Sequence, residues 1–540
     1  MAKAGPQLAD DETEEPNWDS GLQGARLYLG GLGLAIPLFL TSLETTIVST
    51  SLIAITDDLL GFGQGSWIIS SYLLTYAGFL LIWSKASDIF GVRFCLIAAI
   101  TLFTLFSAGC GAVRNVNQLI ICRAFQGIGG SGVYSLSLFS IVRIVAKERY
   151  AAASAFGGGV FALGLVLGPL FGGAIAEHRN WRWVFLCNVP PGVVACLLVF
   201  FAIPSGFPNP PPPATEHTPL AQQFWTKVTL MIHRIDFPGA TILLAASSLS
   251  IAALQEGNYG SSWQSGLVIG MLVVSGVSWI LFPLWEWFLS HQAWSLEPML
   301  PWRLARNRMF LGAAIGSFAS GFVVTICVVE IPQRFQIVNN CTPVEAGVRL
   351  LAFAVTNPLG LILCSALLGR QIPFVYVALG SIILQVIGLF LLSELTPEVY
   401  LWPGQFGYLV LAGLGSGGAL AAFYMMFPIV SRIEDQSVSI GTGLQVRMLG
   451  AALGIAAATS IQHEYVLEHL SLFLSPEAVD RILVSAQAIA TLTSDEEVKT
   501  REVYAAAYGL QMKLAGAFAV VQFLGVALVW RRVNLRLTKS

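Results

Sequence analysis

Glu44 and Arg123 are ionisable residues set inside long apolar runs, and they are the groups in this 540-residue chain best placed to do chemistry. Glu44 lies near the middle of the run 28–55, and Arg123 near the start of 118–140. In a low-dielectric setting burial favours a neutral acid, whereas a nearby cation favours the carboxylate. A carboxyl group balanced between the two can take up and release a proton. A cation well inside such a run costs about 2.5–3.5 kcal/mol to place in hydrocarbon, so Arg123 calls for a function or an escape to the interface. Weaker candidates for a substrate path are Gln126 beside Arg123, Glu330 at the end of the run 309–329, Asn357 in 344–368, and Gln445 and Arg447 in 438–460. Arg447 needs a carboxylate or a water-filled cavity.

The elements that must position these residues follow from composition. Apolar residues make up 55% of the chain, charged residues 11%, and the mean hydropathy is +0.71. Soluble domains carry about 25% charged residues, so a wholly water-facing surface is excluded. Fourteen apolar runs are each long enough to cross about 30 Å of hydrocarbon as a helix. Pro37, Pro169 and Pro358 lie inside them, as membrane helices tolerate. The expectation is an all-α polytopic membrane protein with 14 spans. Placing the N-terminus in the cytosol puts most of the 29 Lys and Arg residues on the cytosolic side, with both termini there. The acidic start has no basic, early-apolar leader character. The expected divisions are a cytosolic tail 1–27, a six-helix bundle 28–203 and a Pro-rich cytosolic linker 204–235. Two extra spans follow at 236–290, a basic loop at 291–308, a second bundle 309–530 and a tail 531–540. The polar stretch 461–512 is expected as an external loop with short helices, and Asn340 begins a glycosylation sequon on the same side.

The two bundles carry an internal repeat. Gly127, Gly129, Gly130 and Gly132 recur as Gly413, Gly415, Gly417 and Gly418, and Gly157 and Gly159 as Gly441 and Gly443. Tandem halves with a site between them are the architecture of secondary transporters. The glycine clusters fit a dinucleotide fingerprint in letters, but continuous apolar flanks point to close helix packing instead. No Lys follows a Gly, so a Walker A loop is missing from the chain and an ion or solute gradient must supply the energy. The net charge of −2 argues against a nucleic-acid partner. The eight cysteines form no CxxC pair and sit almost entirely in apolar runs, which suits buried small hydrophobes rather than a metal site. The six histidines fall in predicted loops and form no cluster, which argues against an enzyme. No cofactor is expected.

Three motifs refine the picture. Residues 84–93 place Asp88 among cations with Gly91 and Arg93, a pattern suited to a charge latch at a tight turn. Gly164, Gly168, Pro169, Gly172 and Gly173 form G-x-x-x-G-P-x-x-G-G, and Trp181-Arg182-Trp183 leads into Phe185, Asn188 and Pro190. Together with Leu43-Glu44-Thr45-Thr46-Ile47-Val48 and Arg123-Ala124-Phe125-Gln126-Gly127, these resemble the major facilitator superfamily, in particular its fungal fourteen-span drug:proton antiporters. The turn at 84–93 departs from the superfamily pattern at Ser84, Ala86, Ile89 and Val92, and Glu44 stands where the family has Asp. The resemblance implies a major facilitator fold, two six-helix bundles plus two extra helices between them. It implies proton coupling through Glu44 and Arg123, gating at 84–93, and an antiporter motif at 164–173. It further implies export of small lipophilic molecules, with protons and lipids as the other partners; a monomer in the plasma membrane is the expectation beside it. Siderophore or basic amino acid transport, and a vacuolar membrane, are the alternatives.

Overall fold

The structure, a computed structural model, describes residues 22–145, 149–177, 180–204, 207, 236–259, 263–291, 296, 298–395, 402–432 and 436–531. The tails 1–21 and 532–540 and nearly all of the Pro-rich segment 204–235 lie outside the described residues. Fourteen long helices account for the fourteen predicted spans. They are α1 (Ala25–Asp58), α2 (Gly65–Phe90), α3 (Val92–Ala112), α4 (Val116–Arg143), α5 (Tyr150–Glu177), α6 (Val189–Ala202) and α7 (Phe237–Tyr259). The rest are α8 (Gly266–His291), α9 (Arg308–Ile337), α10 (Pro343–Gly369), α11 (Phe374–Ser393), α12 (Gln405–Tyr424), α13 (Gln436–Leu470) and α14 (Ser494–Val529). Among the described residues 13 helices are long and apolar enough to cross a membrane, and α4 is the exception. Its first half holds Arg123 and Gln126 beside four glycines, so its mean hydropathy falls although it is packed between α2 and α3.

The helices form two six-helix bundles related by a pseudo-two-fold. In the first, α1 packs on α5 and α6, and α4 on α2 and α3. In the second, α9 packs on α13 and α14, and α12 on α10 and α11. The halves meet through α2 against α13 and α5 against α10, two contacts that the same symmetry exchanges. Glycines set the spacing. A Cβ on Gly127 would collide with Thr75 Oγ1, and one on Gly413 with Thr356 Oγ1, so the repeat seen in the sequence is a repeated helix–helix contact.

α7 packs on α2, α13 and α8, while α8 touches little else and exposes Val273, Ile280 and Leu284 as a lipid-facing surface. At one end of this pair, Asp236 accepts from Trp285 Nε1 (2.9 Å), and Glu286 accepts from the backbone N–H of Leu300 (3.1 Å).

Three expectations need correction. The stretch 461–512 is mostly helix: α13 continues to Leu470, and α14 begins at Ser494. Between them lie Pro476–Val484 and a 3-10 segment, Ala486–Thr491. The polarity that suggested a loop belongs to helix ends standing beyond the apolar zone. A capping box of Thr493 and Glu496 starts α14, and Lys499–Asp495 and Arg501–Glu497 pair along its first turns. For the same reason His463 and His469 lie on α13, not in a loop, and His463 is buried. The segment 84–93 is likewise helical up to Phe90, and Gly91 alone joins α2 to α3 at φ 89°, a value that side-chain-bearing residues resist.

Candidate functional site

Glu44 and Arg123 meet. Glu44 comes from α1 and Arg123 from α4, both buried, and Arg123 Nη1 donates to Glu44 Oε1. Two unpaired charges could not remain there, so each side chain is also held by neutral dipoles. Asn188 Nδ2 donates to Glu44 Oε2 at 2.6 Å. Arg123 Nε donates to the Ile68 carbonyl at 3.1 Å, and Nη1 also donates to Gln126 Oε1 at 2.8 Å. Gln126 Nε2 in turn donates to Ser107 Oγ at 2.8 Å. The guanidinium lies over the Tyr72 ring, 4.3 Å from its centroid, with Phe185 on another side at 5.7 Å. Five of the first six helices, or the turns beside them, thus contribute to one network.

The Trp-Arg-Trp corner explains how Asn188 arrives there. Trp181 Nε1 donates to Asp58 Oδ2 at the end of α1 (2.9 Å), and Arg182 Nη1 donates to the Val113 carbonyl after α3 (2.7 Å). These bonds fix the short helix Trp183–Leu186, from which Phe185 and Asn188 reach Arg123 and Glu44. Asn188 is the functional candidate that sequence reasoning quoted as part of a motif without giving it a role. The rule that selected Glu44, a polar side chain inside an apolar run, applies equally to it.

The motif at 164–173 builds the adjoining wall. Gly164, Gly168 and Gly172 face α1 so closely that a Cβ on each would collide with Ser42, Thr46 or the Ile47 carbonyl. Pro169 has no N–H, which leaves the Leu165 carbonyl without its helical donor. Thr46 Oγ1 donates to it at 3.3 Å, while Thr50 Oγ1 donates to Pro169 O at 3.1 Å and Ser51 Oγ to Gly172 O at 2.8 Å. On the opposite face, a Cβ on Gly173 would lie 2.5 Å from the Pro343 carbonyl, and Gly347 faces the Pro169 carbonyl just as tightly. The motif therefore joins α5 to α1 within one half and to α10 across the seam.

The remaining sequence candidates are dispersed. Glu330 on α9 is buried with Oε2 unpartnered. Gln445 and Arg447 lie together on α13, with Gln445 Nε2 and Arg447 Nε buried and unpartnered. Asn357 on α10 has Nδ2 buried without a partner. Arg447 lies within electrostatic reach of Tyr76, Tyr134 and Tyr424, drawn from both halves, and the Tyr76 and Tyr134 rings lie 6.2 Å apart. Tyr134 also meets Phe161 edge-on at 5.2 Å. Composition alone could not pick out these aromatics. Arg93 Nη2 donates to the Phe200 carbonyl at 2.6 Å and lies over its ring, which ties the start of α3 to the end of α6. The side chain of Asp88 lies outside what the structure describes. Asn340 is exposed with φ 51°, and its Oδ1 accepts from Arg501 Nη2 at 3.4 Å.

The sequence profile described as Major Facilitator Superfamily matches residues 34–455. The chain belongs to that superfamily. The MFS-type transporter FPY5 of Fusarium mangiferae is 39% identical over 525 residues, which is 97% of this chain and 86% of that one. The efflux pump hmp6 of Hypomyces subiculosus is 29% identical over 532 residues, covering 97% and 90%. Among solved structures, a bacterial homologue of the human lysosomal transporter Spinster superposes with a TM-score of 0.65. Its identity is 14%, over 95% of this chain and 100% of that one, and the likeness shows the shared fold. The superfamily is one of transporters, and the tandem halves read from the repeat are the architecture found.

Proposed function

We propose that this chain is a proton-coupled antiporter that exports small lipophilic molecules by alternating access. The observation that carries the reading is Glu44, fully buried and shared between a guanidinium and an amide. Relatives named as efflux pumps support the export direction. In the arrangement described, Arg123 holds the carboxylate. A proton arriving from outside would neutralise Glu44 and release Arg123 to Gln126, the Ile68 carbonyl and the face of Tyr72, which it already touches. The ion pair is then the lock and protonation its release. The tyrosine cluster around Arg447 is the wall against which an apolar ring system would lie. Rocking of the halves would be relayed by the Gly91 turn and its neighbours Asp88 and Arg93. The plasma membrane, cytosolic termini, a monomeric state and glycan attachment at Asn340 belong to the same reading.

The driving force is adequate. A proton crossing one pH unit supplies about 1.4 kcal/mol, and about 100 mV adds roughly 2.3 kcal/mol. Together these sustain a neutral-solute gradient of several hundredfold, at about 1.4 kcal/mol per factor of ten. The test uses proteoliposomes with a reversible pH gradient and a panel of lipophilic dyes, comparing wild type with Glu44→Gln. Dye movement should follow the sign of the gradient, collapse with a protonophore and lose its pH dependence in the variant. Full proton-coupled transport by Glu44→Gln would refute the assignment.

A further inference from the structure

A second carboxyl group lies in the other half, and its surroundings are those of a neutral acid. Glu330 on α9 is 1% exposed, takes part in none of the ion pairs among the described residues, and keeps Oε2 without a hydrogen-bond partner. It lines two small cavities at once. One lies inside the second half, against Gln405, Leu409 and Tyr508. The other lies on the seam, where Thr56 and Ser66 of the first half face Gln333 and Gln462 of the second. Each has room for about one or two waters, which suits a proton on its way across and excludes an organic group.

The neighbouring amide leaves one acceptor unfilled. Gln511 on α14 interacts with Glu330. Its Nε2 already donates to the Ala458 carbonyl at 3.0 Å and to Gln462 Oε1 at 3.2 Å. Those two bonds fix which end of the amide is oxygen, and that Oε1 is buried without a donor. Glu330 Oε2 and Gln511 Oε1 are thus two buried acceptors that no donor reaches. A proton on Glu330 turns its unpartnered acceptor into a donor and removes a buried charge that has no counter-ion in any ion pair among the described residues.

The other titratable groups around it leave this picture intact. Arg334, one turn along α9, donates to Asn339 at 3.4 Å. Tyr508 on α14 is in the cavity wall, and His463 follows Gln462 on α13. On α10, Arg349 is paired with Glu345. The cavity walls contributed by α1, α2, α11 and α12 hold no ionisable side chain. The position that the internal repeat relates to Arg123 is Leu409, and the guanidinium in this cavity wall, that of Arg334, donates to Asn339 and forms none of the ion pairs among the described residues with Glu330.

We infer that Glu330 is a second proton-binding carboxyl group, protonated in the arrangement described and opening to the seam when the halves part. The inference deepens the proposed proton coupling and is tested without transport. Infrared difference spectroscopy of the full-length protein in lipid nanodiscs reads the C=O stretch of protonated carboxyl groups across a pH titration. Glu330→Gln should lose one such band present in wild type at neutral pH, Glu330→Asp should shift it, and Glu44→Gln should retain it. Spectra of Glu330→Gln and Glu330→Asp that match wild type would overturn the inference. In proteoliposomes carrying a lipophilic dye, Glu330→Gln should lower the accumulation ratio about tenfold at one pH unit, the share of one proton. A wild type that moves no dye counts against the transport reading alone, because the infrared comparison stands by itself.

Discussion

Gly127 rests on Thr75 in the first half as Gly413 rests on Thr356 in the second, and Gly129 and Gly415 approach neighbouring backbones alike. One turn before those glycines the halves part company: the first has Arg123, the second Leu409. Arg123 gathers Glu44, Gln126, the Ile68 carbonyl and the Tyr72 ring around itself. Leu409 shares a cavity wall with Glu330, whose Oε2 has no partner. The two halves share the packing and differ in charge. The packing contacts are backbone and small-residue contacts that constrain both copies equally. A buried charge, by contrast, is costly wherever it stands and persists where a full set of partners surrounds it.

The comparison is broken most severely by making the first half resemble the second. Arg123→Leu leaves Glu44 buried without its cation, and losing one partner of such a pair costs about 3–5 kcal/mol. We expect a large drop in thermal unfolding temperature in detergent, and the double variant Glu44→Gln/Arg123→Leu should recover most of it. Equal instability of single and double variants would mean the pair contributes packing and not charge. Next come the shared glycines. Gly127→Leu and Gly413→Leu should each destabilise by more than the roughly 1–3 kcal/mol of ordinary overpacking, because backbone stands where the side chain must go. Similar losses in the two, measured by the same unfolding assay, would confirm symmetric packing; a benign Gly413→Leu would end the comparison.

Asn188→Ala removes a hydrogen bond to a charged group, worth about 1.5–3 kcal/mol. It should also shift the pH dependence of dye movement, whereas Asn188→Asp should impair transport through like charge. Asp57→Ala is smaller and lies at the seam. Asp57 Oδ1 accepts from Ser485 Oγ (2.7 Å) and the Ala486 N–H (3.0 Å), which ties α1 to the segment after Pro476–Val484. Its loss should speed labelling of an introduced Gln336→Cys, since Gln336 bridges to the Thr50 carbonyl at the same seam. The least effect belongs to Gly158→Ala. Nothing lies within 4 Å of the added methyl, so a helix interior should gain about 0.5–1 kcal/mol.

Much of this was legible in the chain. Runs of apolar residues marked all fourteen helices, including α4, whose glycines and Arg123 lower its hydropathy. The glycine motifs pointed to close approaches because such spacing has few other uses inside lipid. What the chain concealed was proximity. Glu44 and Arg123 are 79 positions apart, and Asn188 is 144 from Glu44, so their meeting depends on how helices cross. The polar ends of α13 and α14 read as loop because hydropathy reports the solvent around a segment and not its backbone. The tyrosines near Arg447 were hidden among many aromatics whose burden is packing or lipid contact.

The reciprocal contacts of Gly173 with the Pro343 carbonyl and of Gly347 with the Pro169 carbonyl bear on speed as well as structure. Where side chains interlock, two surfaces separate by successive rotamer escapes. Here one bare backbone facet lies on another, so that part of the seam offers little to disengage. Its motion is damped chiefly by the surrounding bilayer. Turnover should therefore follow the fluidity of the host membrane, slowing in thick, sterol-rich lipid and quickening in thin, unsaturated lipid, even where the proton gradient is held constant.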